Sequence, residues 1–211
     1  NMPKHLDVLN LREYAEHHNA VSDAQIVNPG SSYVRPDLLS NGTDWQDELF
    51  RNAFTTSHNV GITGGKEGIS YAFSGGYLDQ EGIALGSSFN RLTLRSNIDA
   101  QLKSWLKGGI SFSMTSSKQK LGTDNNLIMN ALRSQPSTAV YNPDGGFDGP
   151  DDVWMPENPV AIALLRDNYN KKENFRLNTY LEATIIKGLK LKTEVSADYN
   201  NQRFYYYEPD Y

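Results

Sequence analysis

Arg91-Leu-Thr-Leu-Arg-Ser-Asn-Ile-Asp-Ala-Gln-Leu102 alternates between two kinds of side chain along its whole length. Leu92, Leu94, Ile98, Ala100 and Leu102 take one parity with the small Ser96, and Arg91, Thr93, Arg95, Asn97, Asp99 and Gln101 take the other. Successive side chains of a β-strand point to opposite faces, so the pattern predicts an apolar wall backed by a charged one. A helix would scatter the same residues around its circumference. Strand length is the second clue, because globular strands usually run about 5–6 residues. Twelve residues at roughly 3.3 Å each span about 40 Å, and a tilt of about 45° projects that to about 28 Å. The apolar band of an outer-membrane barrel is about 25 Å tall.

The same period of two recurs on both sides of this stretch. Val60 and Ile62 alternate with Asn59, Gly61 and Thr63; Tyr71, Phe73 and Tyr77 share a parity with Gly75. Leu106, Gly108, Ile110, Phe112 and Met114 oppose Lys107, Ser111, Ser113 and Thr115. Phe175, Leu177, Thr179, Leu181, Ala183 and Ile185 oppose Arg176, Asn178, Tyr180, Glu182 and Thr184, and Leu189, Leu191, Val195, Ala197 and Tyr199 oppose Lys190, Lys192, Glu194, Ser196 and Asp198. The fold class is therefore all-β, with four strands in residues 57–116 and two in 173–211.

Residues 1–56 and 117–172 lack the rhythm and read as loops with short helices. Asn10-Leu-Arg-Glu13 has capping-box spacing, followed by a face of Leu11, Tyr14, Ala15 and His18. Thr43–Glu48 starts a second helix, expected to reach Arg51 or Asn52. Asn28-Pro-Gly reads as a turn. Asn125–Ser134 is a third helix, and Asn158-Pro159 supplies an N-cap and first-turn proline for a fourth over Val160–Asp167.

Short connections are expected at 64–68, 103–105 and 187–188, and long ones at 1–56, 79–88 and 117–172. They alternate, so an antiparallel up-and-down meander puts every long loop at one end. Outer-membrane barrels sort their connections this way, with short periplasmic turns and longer extracellular loops. On that reading Leu92, Leu94, Ile98, Leu102, Ile110, Phe112, Leu177, Leu181, Leu191 and Val195 face lipid. Arg91, Arg95, Asp99, Arg176, Glu182, Lys190 and Glu194 face the lumen. Tyr71, Tyr77, Trp105 and Phe204–Tyr207 lie near strand ends, where an interfacial aromatic girdle sits.

Composition bounds the partners. A net charge of −5 and a pI near 5.4 argue against nucleic acid, which leaves a basic footprint on its binders. No cysteine is present, which removes disulfides and thiolate metal sites. No run of about 20 apolar residues supports a transmembrane helix. The mean hydropathy of −0.59 suits a barrel wall, whose inner parity is polar. Asn1 is not a natural start, and the chain reads as a piece of a longer polypeptide.

No catalytic constellation is found. Gly61-Ile-Thr-Gly-Gly-Lys66 fails the phosphate-loop pattern, because Val60 stands where the first glycine belongs and Glu67 follows the lysine, so a hairpin turn is expected. No Gly-x-Ser-x-Gly or His-Glu-x-x-His occurs. His17 and His18 are adjacent, point differently on a helix and read as solvated rather than metal-binding. Asp144, Asp148, Asp151 and Asp152 could offer oxygens to calcium in a turn-rich loop, but the EF-hand spacing is absent and turns favour aspartate anyway. No cofactor is expected. Tyr141, Phe147 and Trp154 share that loop, and with Asp144 and Asp148 they are the candidate substrate contacts, since aromatic platforms beside carboxylates suit sugar stacking. Burial against neighbouring loops is the alternative.

Gly64-Gly-Lys-Glu-Gly-Ile-Ser-Tyr-Ala-Phe-Ser-Gly-Gly-Tyr-Leu-Asp-Gln-Glu-Gly-Ile83 resembles the early barrel of SusC/RagA-type TonB-linked outer-membrane proteins of Bacteroidetes. Thr43–Arg51 resembles that family's segment before this strand, and Phe89–Arg95 the strand after it. Ala131–Pro136, Asn142–Gly145 and Glu157–Val160 also look familial. The resemblance implies a single-chain barrel of about 22 strands, an N-terminal plug, and a TonB box that couples it to the inner membrane. Plug and box are not in this stretch. It further implies import of an oligosaccharide or peptide together with a SusD-like surface lipoprotein, without bond chemistry. The competing expectation is a soluble β-sheet carbohydrate-binding or adhesion module.

Overall fold

The computed structural model describes residues 5–23, 33–122, 125–149 and 156–208. Its body is one six-stranded antiparallel sheet in which each strand pairs with the next in sequence. The strands are β1 (Thr55–Lys66), β2 (Ile69–Glu81), β3 (Ser88–Lys103), β4 (Leu106–Lys120), β5 (Tyr169–Ile186) and β6 (Leu189–Tyr205). They run from 12 to 18 residues, two to three times the usual globular length. The stretch 91–102 lies inside β3, whose partners continue its alternation: Leu94 is opposite Gly75 and Met114, and Ile98 opposite Tyr71 and Ile110.

Most strands extend beyond the alternating apolar residues. β4 continues to Lys120 and β5 begins at Tyr169, so the connection expected at 117–172 narrows to 121–168. The added residues are mostly polar on both faces, which removes the periodic signal but leaves backbone pairing intact. The first turn is also tighter than expected. β1 runs through Gly64 and Gly65 to Lys66, and the chain reverses at Glu67-Gly68. Gly64 belongs in the strand because the Tyr71 ring lies across it: a Cβ there would come within 2.4 Å of the Tyr71 hydroxyl.

Tight turns occupy 67–68, 104–105 and 187–188, while the longer connections 82–87 and 121–168, with the segment before β1, gather at the other end. They are folded against one another. The helices there are α1 (Leu11–Asp23), α2 (Trp45–Leu49), α3 (Asn125–Arg133) and α4 (Pro159–Leu165), with a 3-10 turn at Pro36–Leu38. Trp45, Leu49, Leu127, Ala131, Val140, Val160, Ile162 and Ala163 form a buried cluster, with Phe50, Leu85 and Phe147 packed against it. The hydrophobic core of the described residues therefore lies in the long connections and not on the sheet.

Local sequence explains the helix ends. The capping box at α1 is reciprocal: Glu13 N–H donates to Asn10 Oδ1 at 3.1 Å, and Asn10 N–H to Glu13 Oε2 at 3.0 Å. Asp44 caps α2 by accepting from the amides of Gln46 and Asp47. That helix stops at Leu49, short of the expected Arg51 or Asn52. Phe50 turns extended and bridges Ala84, while Arg51 N–H donates to Ile83 O at 2.7 Å. Strand-like pairing with the 82–87 connection wins over another helical turn. Gly86 sits there at φ +73, and a Cβ would lie 1.9 Å from the Ala163 carbonyl, so only glycine lets this connection touch α4.

Asn158 ties the cap together. Its Oδ1 accepts from Val160 N–H at 3.0 Å and Ala161 N–H at 3.2 Å, and its Nδ2 donates to the carbonyls of Val140 and Asp148, both at 2.9 Å. Asn158→Ala is expected to destabilise the cap by about 2–4 kcal/mol, combining a lost N-cap with unsatisfied buried carbonyls. Asn158→Asp keeps the N-cap but turns a buried carboxylate oxygen toward the same two carbonyls, so it should cost at least as much. Asn142→Asp, whose bonds from Asp144 and Gly146 are exposed, should cost far less. Hydrogen exchange of the α4 amides measures all three.

Candidate functional site

The register puts nine of the ten residues of the first predicted face on one side of the sheet, and Leu102, at the bulge where the register shifts, lines the same apolar hollow as Ile98 and Leu181. Leu92, Leu94 and Ile98 of β3 stand beside Ile110 and Phe112 of β4, then Leu177 and Leu181 of β5, then Leu191 and Val195 of β6. Val60, Ile62, Tyr71, Phe73 and Tyr77 extend the surface across β1 and β2. Nothing among the described residues covers it. Val60 is 70% exposed, Leu94 39%, Leu181 52% and Val195 64%. Soluble monomers rarely expose contiguous apolar patches beyond a few hundred Å². Six strands of this length carry a face several times larger, by roughly 4.8 Å of width per strand.

The opposite face holds Arg91, Arg95, Asp99, Arg176, Glu182, Lys190 and Glu194. Its charges are wired in short links: Arg176 Nε donates to Asp198 at 2.5 Å, Lys190 Nζ lies 2.9 Å from Glu182, and the Tyr180 hydroxyl donates to Asp99. Lys192 Nζ stands 4.8 Å over the Tyr180 ring. Arg91 and Arg95 make no ion pair among the described residues and project among Ser57, Asn59, Ser74, Gly76 and Thr93 in a shallow polar hollow. One face is apolar and the other polar over the middle rows of the sheet, and toward the loop end both faces carry polar residues.

The aromatic residues sort less simply than expected. Tyr71 and Tyr77 lie on the apolar face near its two ends, and Trp105 sits in the β3–β4 turn. The run Phe204–Tyr207 splits, because period two sends Phe204 to the polar face opposite Asn170 while Tyr205 stacks on Tyr169 at 4.5 Å. Tyr206 and Tyr207 follow the strand, where Tyr207 N–H donates to Asn168 Oδ1.

In the long connection, Tyr141 and Phe147 form a bridge with their rings 5.3 Å apart. Phe147 is packed on the cap core while Tyr141 is 53% exposed, so the two divide between burial and surface. Asp144 is exposed in the turn made by Asn142, whose Oδ1 accepts from Asp144 and Gly146, and Asp148 is held by a bond from its N–H to Val140 O. Trp154, Asp151 and Asp152, like the turn at Asn28, lie outside the described residues.

His18 departs from the solvated pair. It is half-buried on α1, with Tyr33 edge-on at 5.6 Å and Tyr14 at 6.2 Å, while His17 stays exposed. Burial and the neighbouring Tyr33 push the Tyr14 phenol above its ordinary pKa, against a bond from Gln135 that pulls it down. One convergence was invisible in the sequence. The ligand atoms of His5, Asp44 and Asp47 lie within 4.8 Å of one another beside α2, all exposed, and the positions are separated by an entire helix in the chain.

No family model matches the chain. It is 27% identical over 216 residues (97% of this chain) to TonB-dependent receptor P3 of Formosa agariphila, and 29% identical over 208 residues (96%) to TonB-dependent receptor P26 of the same organism. To the TonB-dependent receptor SusC of Bacteroides thetaiotaomicron it is 27% identical over 220 residues, 93% of the chain. The chain spans about a fifth of the length of these curated relatives, 20% of each Formosa receptor and 21% of SusC. Among solved structures, its fold matches the RagAB peptide transporter with a TM-score of 0.69 at 20% identity, covering 94% of this chain and 26% of that one. The RagAB peptide importer in its open-open state gives 0.68 at 20% identity, with 90% and 25% covered. The chain is thus similar to SusC/RagA-type TonB-dependent receptors, and its meander matches a piece of such a barrel. These relatives are receptors and importers rather than enzymes.

Proposed function

We propose that this chain is part of the wall and extracellular cap of an outer-membrane TonB-dependent transporter that imports oligosaccharides or peptides. One observation carries the reading: among the described residues a six-strand apolar face stands uncovered while the helices and the buried core gather at one end of the sheet. In water such a face is a liability; against lipid it is the expected surface. The tight-turn end faces the periplasm and the cap faces outward. The free edges of β1 and β6 pair with further strands of the barrel, since unpaired backbone groups are not tolerated in hydrocarbon.

Within this reading Arg91, Arg95, Asp99, Arg176, Glu182, Lys190 and Glu194 line the lumen against a plug carried by another part of the receptor. That other part also carries the segment that engages TonB. The cap, with Tyr141 and Asp144 at its surface, meets a SusD-like surface lipoprotein and the incoming ligand. The mechanism is capture and gated passage.

Deletion of the gene that encodes the receptor is expected to abolish growth on one oligosaccharide or peptide source and to spare growth on the free monomer. Unchanged growth on every polymer tested would remove the transport reading. The alternative, a soluble carbohydrate-binding or adhesion module, requires a polypeptide that stays monomeric without detergent and fractionates away from the outer membrane.

A further inference from the structure

Three cations stand side by side on the apolar face at its loop end. Lys118 of β4, Lys171 of β5 and Arg203 of β6 are direct register partners across neighbouring strands. Their parity is that of Phe112, Phe175 and Tyr199, so they point the same way as the apolar surface. Neighbouring strands lie about 4.8 Å apart, and like charges placed directly opposite each other destabilise a sheet. A row of three asks for a counter-charge.

The protein supplies only part of it. Glu173, one row below, pairs with Lys171 at 2.9 Å, and Asp167 takes Lys120, one row above, at 3.5 Å. Asp79, at the β2 end of the same row, accepts from Asn90 at 2.5 Å. Neither Lys118 nor Arg203 makes an ion pair among the described residues. Lys118 Nζ instead stands 4.0 Å over the ring of Tyr169, which stacks on Tyr205. The row is locally basic on a chain whose net charge is −5.

Height decides what meets it. The last apolar row across these strands is Met114, Phe175 and Tyr199. Lys118 lies four residues farther along β4, about 13 Å up the strand and about 9 Å along the membrane normal at a tilt of about 45°. A bilayer adds about 5–8 Å of headgroup to each side of its hydrocarbon core, and lysine and arginine stems reach several ångströms further. The three cations therefore reach the headgroup layer, while Tyr169 and Tyr205, two residues farther along their strands, stand about 14 Å above the last apolar row and frame the cations from the outer side.

We propose that Lys118, Lys171 and Arg203, flanked by Tyr169 and Tyr205, form a docking site for the phosphorylated headgroup of an outer-leaflet lipid. The site rests on the reading of the apolar face as the lipid-facing wall. A phosphate offers acceptors to an arginine fork and to two ammonium groups at once, and its charge relieves the repulsion along the row. The acyl chains of the same lipid lie along the apolar surface below.

The test uses the full-length receptor in detergent, titrated with a diphosphoryl glucosamine lipid and with the same lipid stripped of phosphate, and read by native mass spectrometry. The wild type is expected to retain the phosphorylated lipid at a concentration on the order of tenfold lower. The combined Lys118→Gln, Lys171→Gln and Arg203→Gln variant should lose that preference, and Lys118→Arg, Lys171→Arg and Arg203→Lys should keep it. Lys103→Gln with Lys187→Gln, at the turn end of the sheet, should also keep it. Equal retention of both lipids by the wild type, an undiminished preference in the triple glutamine variant, or displacement by equimolar inorganic phosphate would each overturn the proposal. A receptor that stays monodisperse without detergent would instead overturn the barrel reading on which it rests.

Discussion

Ile98→Arg is expected to destabilise the bilayer-embedded receptor by about 2–4 kcal/mol, the cost measured for arginine near the midplane of a barrel's lipid face. Ile98 is the right probe because of its place in the register. It stands between Tyr71 and Ile110 and near the middle of the apolar run from Leu92 to Leu102. A guanidinium there can reach neither headgroup layer without bending the strand or thinning the membrane. Asn97→Arg, one residue away on the wet face, is expected to change stability by less than about 0.5 kcal/mol, as exposed substitutions usually do. The difference between neighbours carries the information. If the apolar face met water, Ile98→Arg would be close to neutral and would improve solubility. Urea unfolding of the full-length receptor refolded into lipid vesicles measures both variants, and a small, equal effect at the two positions would defeat the lipid-facing assignment.

The sheet was legible in the sequence because its signal is local. Period two in residues 91–102 identifies a strand from side chains a few ångströms apart, and short alternating with long connections yields the meander. Where alternation lapses, legibility lapses with it. Thr115–Lys120 has no apolar parity, and its membership in β4 is decided by backbone bonds to β5, which no single segment reveals. Phe204 looked like one of four girdle residues until strand geometry assigned it to the polar face.

The cap was legible only in its parts. Three of its four helices carry local caps, at Asn10, Asp44 and Asn158, and α3 announced itself by the one-sided spacing of Leu127, Ile128, Ala131 and Leu132 before Pro136. Their assembly into one core was not. Trp45 donates through its indole to the Gln135 carbonyl, 90 positions away, and the Thr43 hydroxyl donates to Thr138 O across 95. Such pairings depend on where β1–β4 deliver the chain, so they follow from the sheet and cannot be read before it. His5 meets Asp44 for a different reason, since both precede β1: the Gln46 side chain binds the backbone of Leu6 across 40 positions, a contact that local sequence does not announce.

Trp45→Ala is expected to separate the stability of the cap from that of the wall. The indole is 4% exposed, packs with Leu49, Leu127 and Val160, and satisfies the Gln135 carbonyl at 2.9 Å. Its truncation removes a large buried surface, leaves a cavity and strands an acceptor, a loss of about 3–5 kcal/mol. Trp45→Phe keeps most of the volume and should cost clearly less. Among the described residues the strands contribute none to this core: α2, α3 and α4 pack on one another, and Phe50, Leu85 and Phe147 join them from connections. Opening of the cap is therefore expected to rise by about two to four orders of magnitude, while the barrel keeps its shifted mobility on unboiled gels. Hydrogen exchange across 125–149 and 156–168, or nicking by an external protease on whole cells, reads the first quantity. Uptake reads its consequence, because a wall that inserts normally beneath a loosened cap should lose ligand capture before it loses anything else. Barrel and cap melting together would instead make the loop core a structural keystone of the wall, and would assign the docking of ligand to some other part of the receptor.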